Sequence, residues 1–451
     1  MVIAALGATS TALAGVVGVA PALAGPTATA APFLRMLSHR PMAAPPTTAQ
    51  CEAAIGIACY QPSQYQAAYD LGPLYANKTE GQGQTIAVVD SFGSPDIASQ
   101  LRIFDTAFGL PAPPSLKIIQ PAGVVPPFDP LNSVMVGWSQ ETSLDVEYAH
   151  TIAPKANILL VETPVAETEG VVGFPEIVAA ENYVVNNHLA QVITQSFGAT
   201  EETFPNAQSL LSLRSAFVNA ANNGVTVLGA SGDGGATDNQ ANGTSFYLRP
   251  VNSWPSADPL VTSVGGTQMH LTATGTHTQP DTVWNDTNLL SSPAAGGGNP
   301  SSIFARPAYQ NSVASVVGAS RGTPDISMSA AVDGGALVYL GANESGGSGA
   351  GYYVIGGTSE ASPLFSGIVA LSAQTAGHGL GLINPALYKL QTRHAAGVVD
   401  VTAGTNTVTF TQGGGLHTVN GHDAVAGYDL ASGMGTVDGA AFVPELAAAT
   451  G

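Results

Sequence analysis

The sequence is poor in charged residues, and basic residues are especially rare. Only 12 of its 451 residues are Lys or Arg, against 31 Asp or Glu, and the formal net charge is -19 at pH 7. Nucleic-acid binding depends on Lys and Arg that neutralise phosphates, so we expect no nucleic acid among the partners. Most of the negative charge is carboxylate that protonates at about pH 4, so acidic surroundings would reduce the net charge of the chain.

The sequence has only one long apolar run, and it lies at the N-terminus. Residues 2–24 carry no charge and end in the small residues of Pro21-Ala22-Leu23-Ala24, which is the pattern that a signal peptidase requires. We predict a secretory signal at residues 1–24, cleaved near Ala24, and a secreted, extracellular protein without stable membrane association after cleavage. The alternative is a retained membrane anchor, because the run lacks the basic residues that ordinarily precede a signal.

Cysteine is equally scarce, and the two cysteines are close in sequence. In an exported chain Cys51 and Cys59 are expected to pair with each other and to take no part in chemistry. The preceding residues 25–50 are rich in Pro, Ala and Thr and show no periodicity, so we predict a linker there. From residue 51 to residue 451 the pattern is globular, and we interpret this range as one large domain.

Within that domain, apolar runs of strand length alternate with helical stretches. Runs typical of strands buried on both faces lie at 84–90, 157–161, 191–197, 225–229 and 260–264. Helical stretches lie at 63–75, 140–152, 176–188 and 206–222. The alternation predicts an α/β fold with a doubly wound, mostly parallel central sheet flanked by helices, whose catalytic groups lie at the carboxyl ends of the strands. The Gly, Ser, Thr and Pro-rich segment 272–310 is predicted to form long surface loops.

The stretch from Gly356 to Pro363 has the features of a nucleophile site. Two glycines precede Thr358 and Ser359, and an apolar run follows, so the serine is expected at the N-terminus of a buried helix. Free backbone N–H groups and the helix dipole would stabilise negative charge that develops beside its hydroxyl. The same pattern fits an ordinary helix N-cap, so a catalytic role requires a base elsewhere in the chain.

Carboxylates are better candidates for that base than histidines. Among nine histidines, only His150 lies beside acidic helical residues. Glu141 and Asp145 are four residues apart, which places both on one helix face, where neighbouring carboxylates share a proton. A solvated acidic face is the alternative interpretation. Two other aspartates follow apolar runs: Asp233 forms either an Asx turn or a protonated donor to an oxyanion, and we interpret Asp90 as a structural turn residue.

Together these motifs resemble the sedolisins, the serine-carboxyl peptidases, which share the subtilisin fold but have glutamate in place of histidine. The resemblance runs from about Cys51 to the C-terminus. It rests on Glu141-(x)3-Asp145, Ser231-Gly232-Asp233, Trp254-Pro255 leading to Gly265-Gly266-Thr267, Gly296-Gly297-Gly298, and Gly357-Thr358-Ser359-(x)3-Pro363. It implies a subtilisin-like fold and peptide-bond hydrolysis in acid. Ser359 would attack, Glu141 would act as the base and Asp145 would orient it, while Asp233 and the Ser359 N–H would stabilise the oxyanion.

The resemblance also implies binding residues and a cofactor. Ser196, Phe197 and Gly198 would lie on a strand that pairs with the substrate backbone. One structural Ca²⁺ would be bound by all-oxygen ligands: the carboxylates of Asp400 and Asp429 and the carbonyl oxygens of Val401, Val425 and Gly427. Spacing alone would favour two ordinary Asp turns. The implied partners are protein or peptide substrates, and we expect a monomer.

Several alternatives stay open at this point. Many sedolisins carry a long folded prodomain, whereas 50 residues precede Cys51, so either this branch matures without one or the sequence is truncated. We expect an endopeptidase, with tripeptidyl-peptidase activity as the alternative. The rival functions are a subtilisin-like Ser-His-Asp hydrolase that uses His150 and a non-catalytic secreted binding protein on a peptidase scaffold.

Overall fold

A mostly parallel β-sheet lies at the centre of the molecule. The computed structural model describes residues 35–36 and 41–451, so the predicted signal at 1–24 and its cleavage near Ala24 lie outside the described residues. The strands of this sheet, in spatial order, are β11 (Thr282–Val283), β10 (Thr262–Gln268), β8 (Thr226–Ala230), β6 (Val192–Gln195), β3 (Thr85–Ser91), β5 (Asn157–Thr163) and β4 (Leu116–Ile119), and β14 (Ile326–Ser329) also pairs with β10. All neighbours pair in parallel except β10 with β11. The predicted doubly wound α/β fold is confirmed.

Helices cover the sheet and connect its strands. They are α1 (Thr48–Ile55), α2 (Pro62–Ala68), α3 (Gly72–Ala76), α4 (Ile97–Phe108), α5 (Ser133–Ile152), α6 (Phe174–Asn186), α7 (Ala207–Leu211), α8 (Ser215–Asn222), α9 (Thr287–Leu290), α10 (Ala314–Val317), α11 (Thr358–Ala376), α12 (Asn384–Thr392) and α13 (Gly439–Ala449), with 3₁₀ turns at Glu201–Thr203 and Ala308–Val313. The stretches predicted as single helices at 63–75 and 206–222 each form two. In the first, Pro73 lacks an N–H and starts a new helix rather than continuing the old one. Among the described helices, none is long and apolar enough to cross a membrane.

A second, smaller sheet includes part of the segment that was predicted to be a linker. Its spatial order is β1 (Arg35–Met36), β16 (Gly351–Gly356), β15 (Gly335–Leu340) and β2 (Cys59–Tyr60). The linker prediction for 25–50 is therefore wrong for Arg35–Met36, and α1 begins before residue 51. The Cys51–Cys59 disulfide is present and joins α1 to β2.

Four short antiparallel ribbons complete the described strands. They are β7 (Ala199–Thr200) with β9 (Ser253–Trp254), β12 (Pro300–Ala305) with β13 (Ser320–Gly322), β17 (Val398–Val399) with β20 (Thr436–Val437), and β18 (Val408–Gln412) with β19 (Gly415–Val419). The prediction of surface loops at 272–310 is wrong in part, because this range contains β11, α9 and the whole of β12. Gly296, Gly297 and Gly298 are buried, since a glycine run suits a close backbone approach as well as it suits a loop.

The core lies on both faces of the central sheet. In β3, Ile86 and Val88 pack in the cluster that contains the apolar residues of α11, while Ala87 and Val89 pack in the cluster that contains those of α6 and α8. This alternation follows from the two-residue period of a strand. Both surfaces of β3 are therefore buried, and its carboxyl end is held in a fixed position.

Helices α5 and α11 approach each other closely at Gly367. A Cβ atom at this position would lie 2.5 Å from the Cβ atom of Ile152 and 3.4 Å from the carbonyl oxygen of Ala149. The absence of a side chain therefore sets the spacing of the two helices. These are the helices that carry the acids and the serine singled out in the sequence.

We predict that Gly367→Ala destabilises the protein and that Gly72→Ala does not. The added methyl group would overlap Ile152 and cost about 1–3 kcal/mol, whereas at Gly72 nothing lies within 4 Å of the added atom. Urea unfolding of both variants checks this expectation. Equal midpoints for the two variants would contradict the proposed role of Gly367.

Candidate active site

The serine of the Gly-Thr-Ser motif lies at a helix N-terminus, as predicted. Ser359 is the second residue of α11, directly after β16, and is fully buried. Gly357 has φ of 117°, a conformation that favours glycine. A Cβ atom on Gly356 would lie 2.6 Å from the carbonyl oxygen of Ala330. Both glycines are therefore needed to lead the chain from strand to helix at this point.

Glu141 and Asp145 of α5 are buried rather than solvated. Glu141 and Asp145 have no exposed surface, so the alternative of a solvated acidic face is wrong. Burial, followed by the charges of Asp145 and Asp90, raises the pKa of Glu141 well above its usual value. Burial and the charge of Asp90 raise the pKa of Asp145 in the same way. The Ser359 hydroxyl lies close enough to Glu141 to offset part of this rise in its pKa.

Ser196 joins the serine to the acid pair. The Ser359 hydroxyl donates to the carbonyl oxygen of Ser196 at 3.2 Å, and the Ser196 hydroxyl donates to Asp145 Oδ1 at 2.8 Å. In the described part of the chain, both carboxylate oxygens of Glu141 lack a hydrogen-bond partner. The Ser359 side chain can rotate about its Cα–Cβ bond. After such a rotation its hydroxyl could donate to Glu141 instead of to Ser196, because the Glu141 oxygens have no other donor among the residues that the structure describes.

The predicted substrate-binding segment is a connection between strands rather than the expected strand. Ser196, Phe197 and Gly198 lie in the connection between β6 and β7 and form no strand of their own. The Phe197 ring is buried against Trp138, with 5.8 Å between ring centroids. The Phe197 side chain is therefore part of the core, while Ser196 contacts Ser359 and Asp145 directly.

Asp233 lies on the turn after β8 and faces the start of α11. Its Oδ1 atom accepts hydrogen bonds from the backbone N–H and the hydroxyl of Thr358, both at 2.8 Å. Its Oδ2 atom has no hydrogen-bond partner among the described residues. Burial raises the pKa of Asp233 to about 7. The carboxyl is thus protonated in acid, and its free oxygen can then donate a hydrogen bond.

A glycine segment holds the Asp233 turn in place. The Gly297 N–H donates to the carbonyl oxygen of Gly232 at 2.8 Å. A Cβ atom on Gly297 would lie 2.3 Å from the carbonyl oxygen of Ser231. The glycines of 296–298 are therefore required by the backbone that packs against the turn.

Asp90 belongs to this group of acids, which the sequence interpretation missed. It lies within β3 near its carboxyl end, not in a turn, and it is fully buried. Burial raises its pKa to about 7. Its carboxyl group affects the pKa values of both Glu141 and Asp145. The available signal was its position at the end of a buried strand, where the catalytic groups of such sheets collect.

His150 lies away from the serine and its acids. It is nine residues beyond Glu141 on α5, a rise of roughly 13 Å along the helix. Its Nε2 atom lies 2.8 Å from the carbonyl oxygen of Pro111 and 3.3 Å from Asp105 Oδ1. His150 therefore contacts α4 and the residues that follow it. In this position it is too far along α5 to act as a base for Ser359.

The predicted calcium ligands lie on two neighbouring segments, 400–401 and 425–429, which hydrogen bonds connect. Asp400 Oδ2 accepts a hydrogen bond from the Gly427 N–H at 2.8 Å, and Asp429 Oδ2 accepts one from the Val425 N–H at 2.9 Å. The Val401 carbonyl oxygen faces the hydroxyl of Ser432 on the same loop, at 3.5 Å. These contacts place residues 400–401 next to residues 425–429, and carboxylate and carbonyl oxygens are the ligand class that Ca²⁺ prefers. No cluster of three or more His, Cys, Asp or Glu with metal-binding geometry occurs among the described residues.

The arrangement can perform acyl transfer. A hydroxyl at a helix N-terminus, an unpartnered carboxylate beside it and a protonated carboxyl on the opposite side supply a nucleophile, a base and an oxyanion donor. Each comes from a different element: α11, α5 and the turn after β8. Because the oxyanion donor must be protonated, this chemistry is lost as the pH rises through about 7, the pKa of Asp233.

Comparisons with known proteins are consistent with this geometry. Residues 133–415 match the sequence model of the Subtilase family. Kumamolisin from Bacillus sp. (strain MN-32) is 31% identical, over 79% of this chain and 59% of kumamolisin. Tripeptidyl-peptidase sed4 from Aspergillus fumigatus is 30% identical, over 56% of this chain and 43% of that protein. The chain thus spans about half the length of these curated relatives.

A solved structure matches most of the fold. It is that of Pseudomonas sedolisin, a serine-carboxyl proteinase complexed with two molecules of pseudo-iodotyrostatin, with a TM-score of 0.68 and 27% identity. The match covers 86% of this chain and 97% of that one.

We predict that the free energy of unfolding is largest in acid and falls as the pH rises. The folded-state pKa values are about 7 for Asp90 and Asp233 and about 8 for Glu181, all above the unfolded value of about 4. The folded state therefore binds more protons between those limits, and stability present below pH ~4 is lost as the pH rises through the folded pKa values.

Urea unfolding of Ser359→Ala from pH 4 to 9 measures this trend without self-digestion. Glu181→Gln is the matched variant, because glutamine can still accept the hydrogen bond that Gln195 donates to Glu181. Its stability should depend less steeply on pH. Stability that peaks at neutral pH in both proteins would contradict the prediction.

Proposed function

Because the chain belongs to the Subtilase family and, within it, to the sedolisins, we propose that it is a serine-carboxyl peptidase that hydrolyses peptide bonds in acid. The observation that carries the proposal is the buried set formed by Ser359, Glu141, Asp145 and Asp233, in which both oxygens of Glu141 are open beside the serine. Burial keeps the Asp233 carboxyl protonated below about pH 7, as an oxyanion donor requires.

The proposed first step is attack by Ser359 on the scissile carbonyl carbon. As the Oγ–C bond forms, the carbonyl electron pair moves to the oxygen, and the hydroxyl proton goes to Glu141. Asp145 shares charge and proton with Glu141 and is held by the Ser196 hydroxyl. The developing oxyanion receives hydrogen bonds from protonated Asp233 Oδ2 and the Ser359 N–H. Collapse returns the proton from Glu141 to the leaving amine, and water then releases the acyl group by the same steps in reverse.

Two rival functions are less well supported. A Ser-His-Asp hydrolase would need a histidine beside Ser359, and His150 instead contacts Pro111 and Asp105. A non-catalytic binding protein would be expected to lack part of the catalytic set, and all four residues are present. We therefore retain the serine-carboxyl mechanism.

We further propose that the protein is a secreted endopeptidase, and that it acts on protein or peptide substrates as a monomer. One of the relatives is a tripeptidyl-peptidase, so release of tripeptides is the competing specificity. N-acetylated and free peptides of the same sequence distinguish the two activities. An endopeptidase cleaves both, whereas a tripeptidyl-peptidase requires the free N-terminus.

We predict that peptide hydrolysis is confined to acid and is lost in Ser359→Ala and Glu141→Gln. Removing the nucleophile or the base should lower kcat/KM by about 10³-fold or more. Activity should decline as the pH rises through about 7, where Asp233 loses its proton. A quenched peptide library assayed from pH 3 to 8 provides the measurement.

Two control variants sharpen this experiment. His150→Gln should keep its activity, because the polar contacts of His150 are with Pro111 and Asp105. Asp233→Asn keeps a neutral donor at every pH, so its residual activity should persist to higher pH. Neutral activity that survives Glu141→Gln and disappears in His150→Gln would establish the histidine mechanism instead.

We also propose one structural Ca²⁺ at the loop around residues 425–429. Asp400 and Asp429 would supply carboxylates, and Val401, Val425 and Gly427 would supply carbonyl oxygens. Bound there, the ion would stabilise the C-terminal loop against unfolding and take no part in the reaction.

Calcium should therefore raise the melting temperature by a few degrees in wild type but not in Asp400→Asn. Asp423→Asn is the matched control, because Asp423 is an exposed acid close by in the same segment. Differential scanning calorimetry with calcium and with chelator measures the shift. Identical calcium responses in wild type and Asp400→Asn would exclude this site.

A further inference from the structure

A cavity of about 500 Å³ opens where three segments of the chain meet. The end of α2, residues 277–281 and the ribbon of β17 with β20 form its walls. The proposed catalytic and substrate-binding residues do not line it. Its volume is within the range of cavities that hold small molecules, so the chemistry of its lining indicates what it can bind.

Much of the cavity lining is apolar. Ala68, Pro280, Val399 and Val437 are among the residues that form it. Such side chains favour contact with hydrocarbon, because each CH₂ group that leaves water contributes to binding. The cavity therefore suits a ligand that has a short aliphatic chain.

The charged residues of the cavity are mostly acidic. Asp281, Asp400 and Asp438 line it, and none of its described lining residues is Lys or Arg. His277 Nδ1 lies 3.0 Å from Asp281 Oδ1, so the histidine is paired with that carboxylate. Asp400 and Asp438 form no ion pair within the described ranges. The cavity thus has negative charge that attracts a cation.

Thr436 adds an unsatisfied polar group to the cavity. This residue lies in β20 and is only 4% exposed. Its Oγ1 atom has no hydrogen-bond partner among the described residues. A buried polar atom of this kind is stabilised by a ligand that supplies the missing hydrogen bond. The cavity therefore offers a hydroxyl acceptor as well as negative charge.

The acidic residue closest in sequence to this hydroxyl is held in a fixed position. Asp438 is the N-cap of α13, and its Oδ1 atom accepts a hydrogen bond from the Ala441 N–H at 3.2 Å. Its backbone is extended, so Asp438 and Thr436, two positions apart, point to the same side of the chain. The Oδ2 atom of Asp438 accepts no hydrogen bond from the residues described and is open to a donor.

We propose that this cavity is a binding site for a primary alkylammonium group. The ammonium, which has three N–H donors, would donate to Asp438 Oδ2 and to Thr436 Oγ1. The aliphatic chain would lie against the apolar part of the lining. The site is separate from the proposed catalytic residues, so this proposal goes beyond the proposed function and does not depend on it. The same group occurs in free amines and in lysine side chains.

The first test compares ligands that have the same chain and different charge. Hexylamine, hexan-1-ol and hexanoate are titrated calorimetrically at pH 7 into the full chain carrying Ser359→Ala, with chelator present to exclude calcium. Hexylamine should bind at least about tenfold more tightly than hexan-1-ol, and hexanoate should not bind. Nα-acetyl-lysine amide tests the second source: tighter binding than hexylamine identifies a lysine side chain as the ligand, and weaker binding identifies a free amine.

The second test changes the cavity in the same background. Asp438→Asn removes the charge but keeps a good helix N-cap, and it should weaken hexylamine binding about tenfold. Thr436→Val removes the hydroxyl at nearly constant shape and should weaken binding roughly threefold or more. Ala68→Leu should abolish binding by filling the cavity. Glu52→Gln, at an exposed position of α1, is the matched control and should bind hexylamine like the parent.

Several outcomes would overturn the alkylammonium site. Equal affinities for hexylamine and hexan-1-ol would show that the cavity does not recognise charge. Equal hexylamine affinities in Asp438→Asn and Glu52→Gln would show that binding occurs elsewhere. Folded protein that binds neither hexylamine nor the lysine derivative would also exclude the site. Because every titration uses Ser359→Ala, these results are independent of whether the protein is a peptidase.

Discussion

Carboxyl groups buried beside one another, with almost no positive charge to balance them, determine how this active site can behave. Glu141, Asp145, Asp90 and Asp233 lie at one edge of the central sheet, and each is removed from water. Ionising any one of them is opposed by burial, and for the α5 pair also by the charges of its neighbours. These four carboxyl groups are therefore most stable when they share protons with one another. A chain with so few basic residues is suited to keeping such a cluster.

The fold holds these acids in place mainly by packing and hydrogen bonds, and among the described residues the ion pair that involves them is Arg35 with Asp233, at 3.8 Å. The close approach of α5 and α11 at Gly367 fixes the distance between the acids and the serine. Thr358 holds Asp233 through two hydrogen bonds, and Ser196 holds Asp145 through one. Because little positive charge lies beside them, these carboxyl groups can exchange protons with one another. Rigid packing keeps them from separating.

Much of this could be predicted from the sequence, because its strongest signals are local. The run of apolar residues after Ser359 and the spacing of Glu141 and Asp145 each specify a helix and a face. Asp90 was misinterpreted because an aspartate at a strand end looks the same in sequence whether it turns the chain or joins a cluster. The role of Ser196 and the burial of 296–298 depend on contacts between distant segments, which no local pattern contains.

The strand formed by Arg35 and Met36 was missed for a related reason. Its residues are few and surrounded by Pro, Ala and Thr, so composition suggested a linker. The pairing partner, β16, lies more than 300 positions further along the chain. Pairing with an existing edge gives order to a short segment that has no propensity of its own.

The hydrogen bonds of the site have a consequence for how the protein folds. Ser359 bonds to a residue 163 positions away, and Thr358 to one 125 positions away. Contacts of such sequence separation form late and slowly, because long loops must be closed before they exist. The proposed nucleophile, base and oxyanion donor therefore meet only when the central sheet is complete. A partly synthesised or partly folded chain therefore contains the proposed catalytic side chains of its finished segments without the assembled site, so the proposed activity would begin only after folding.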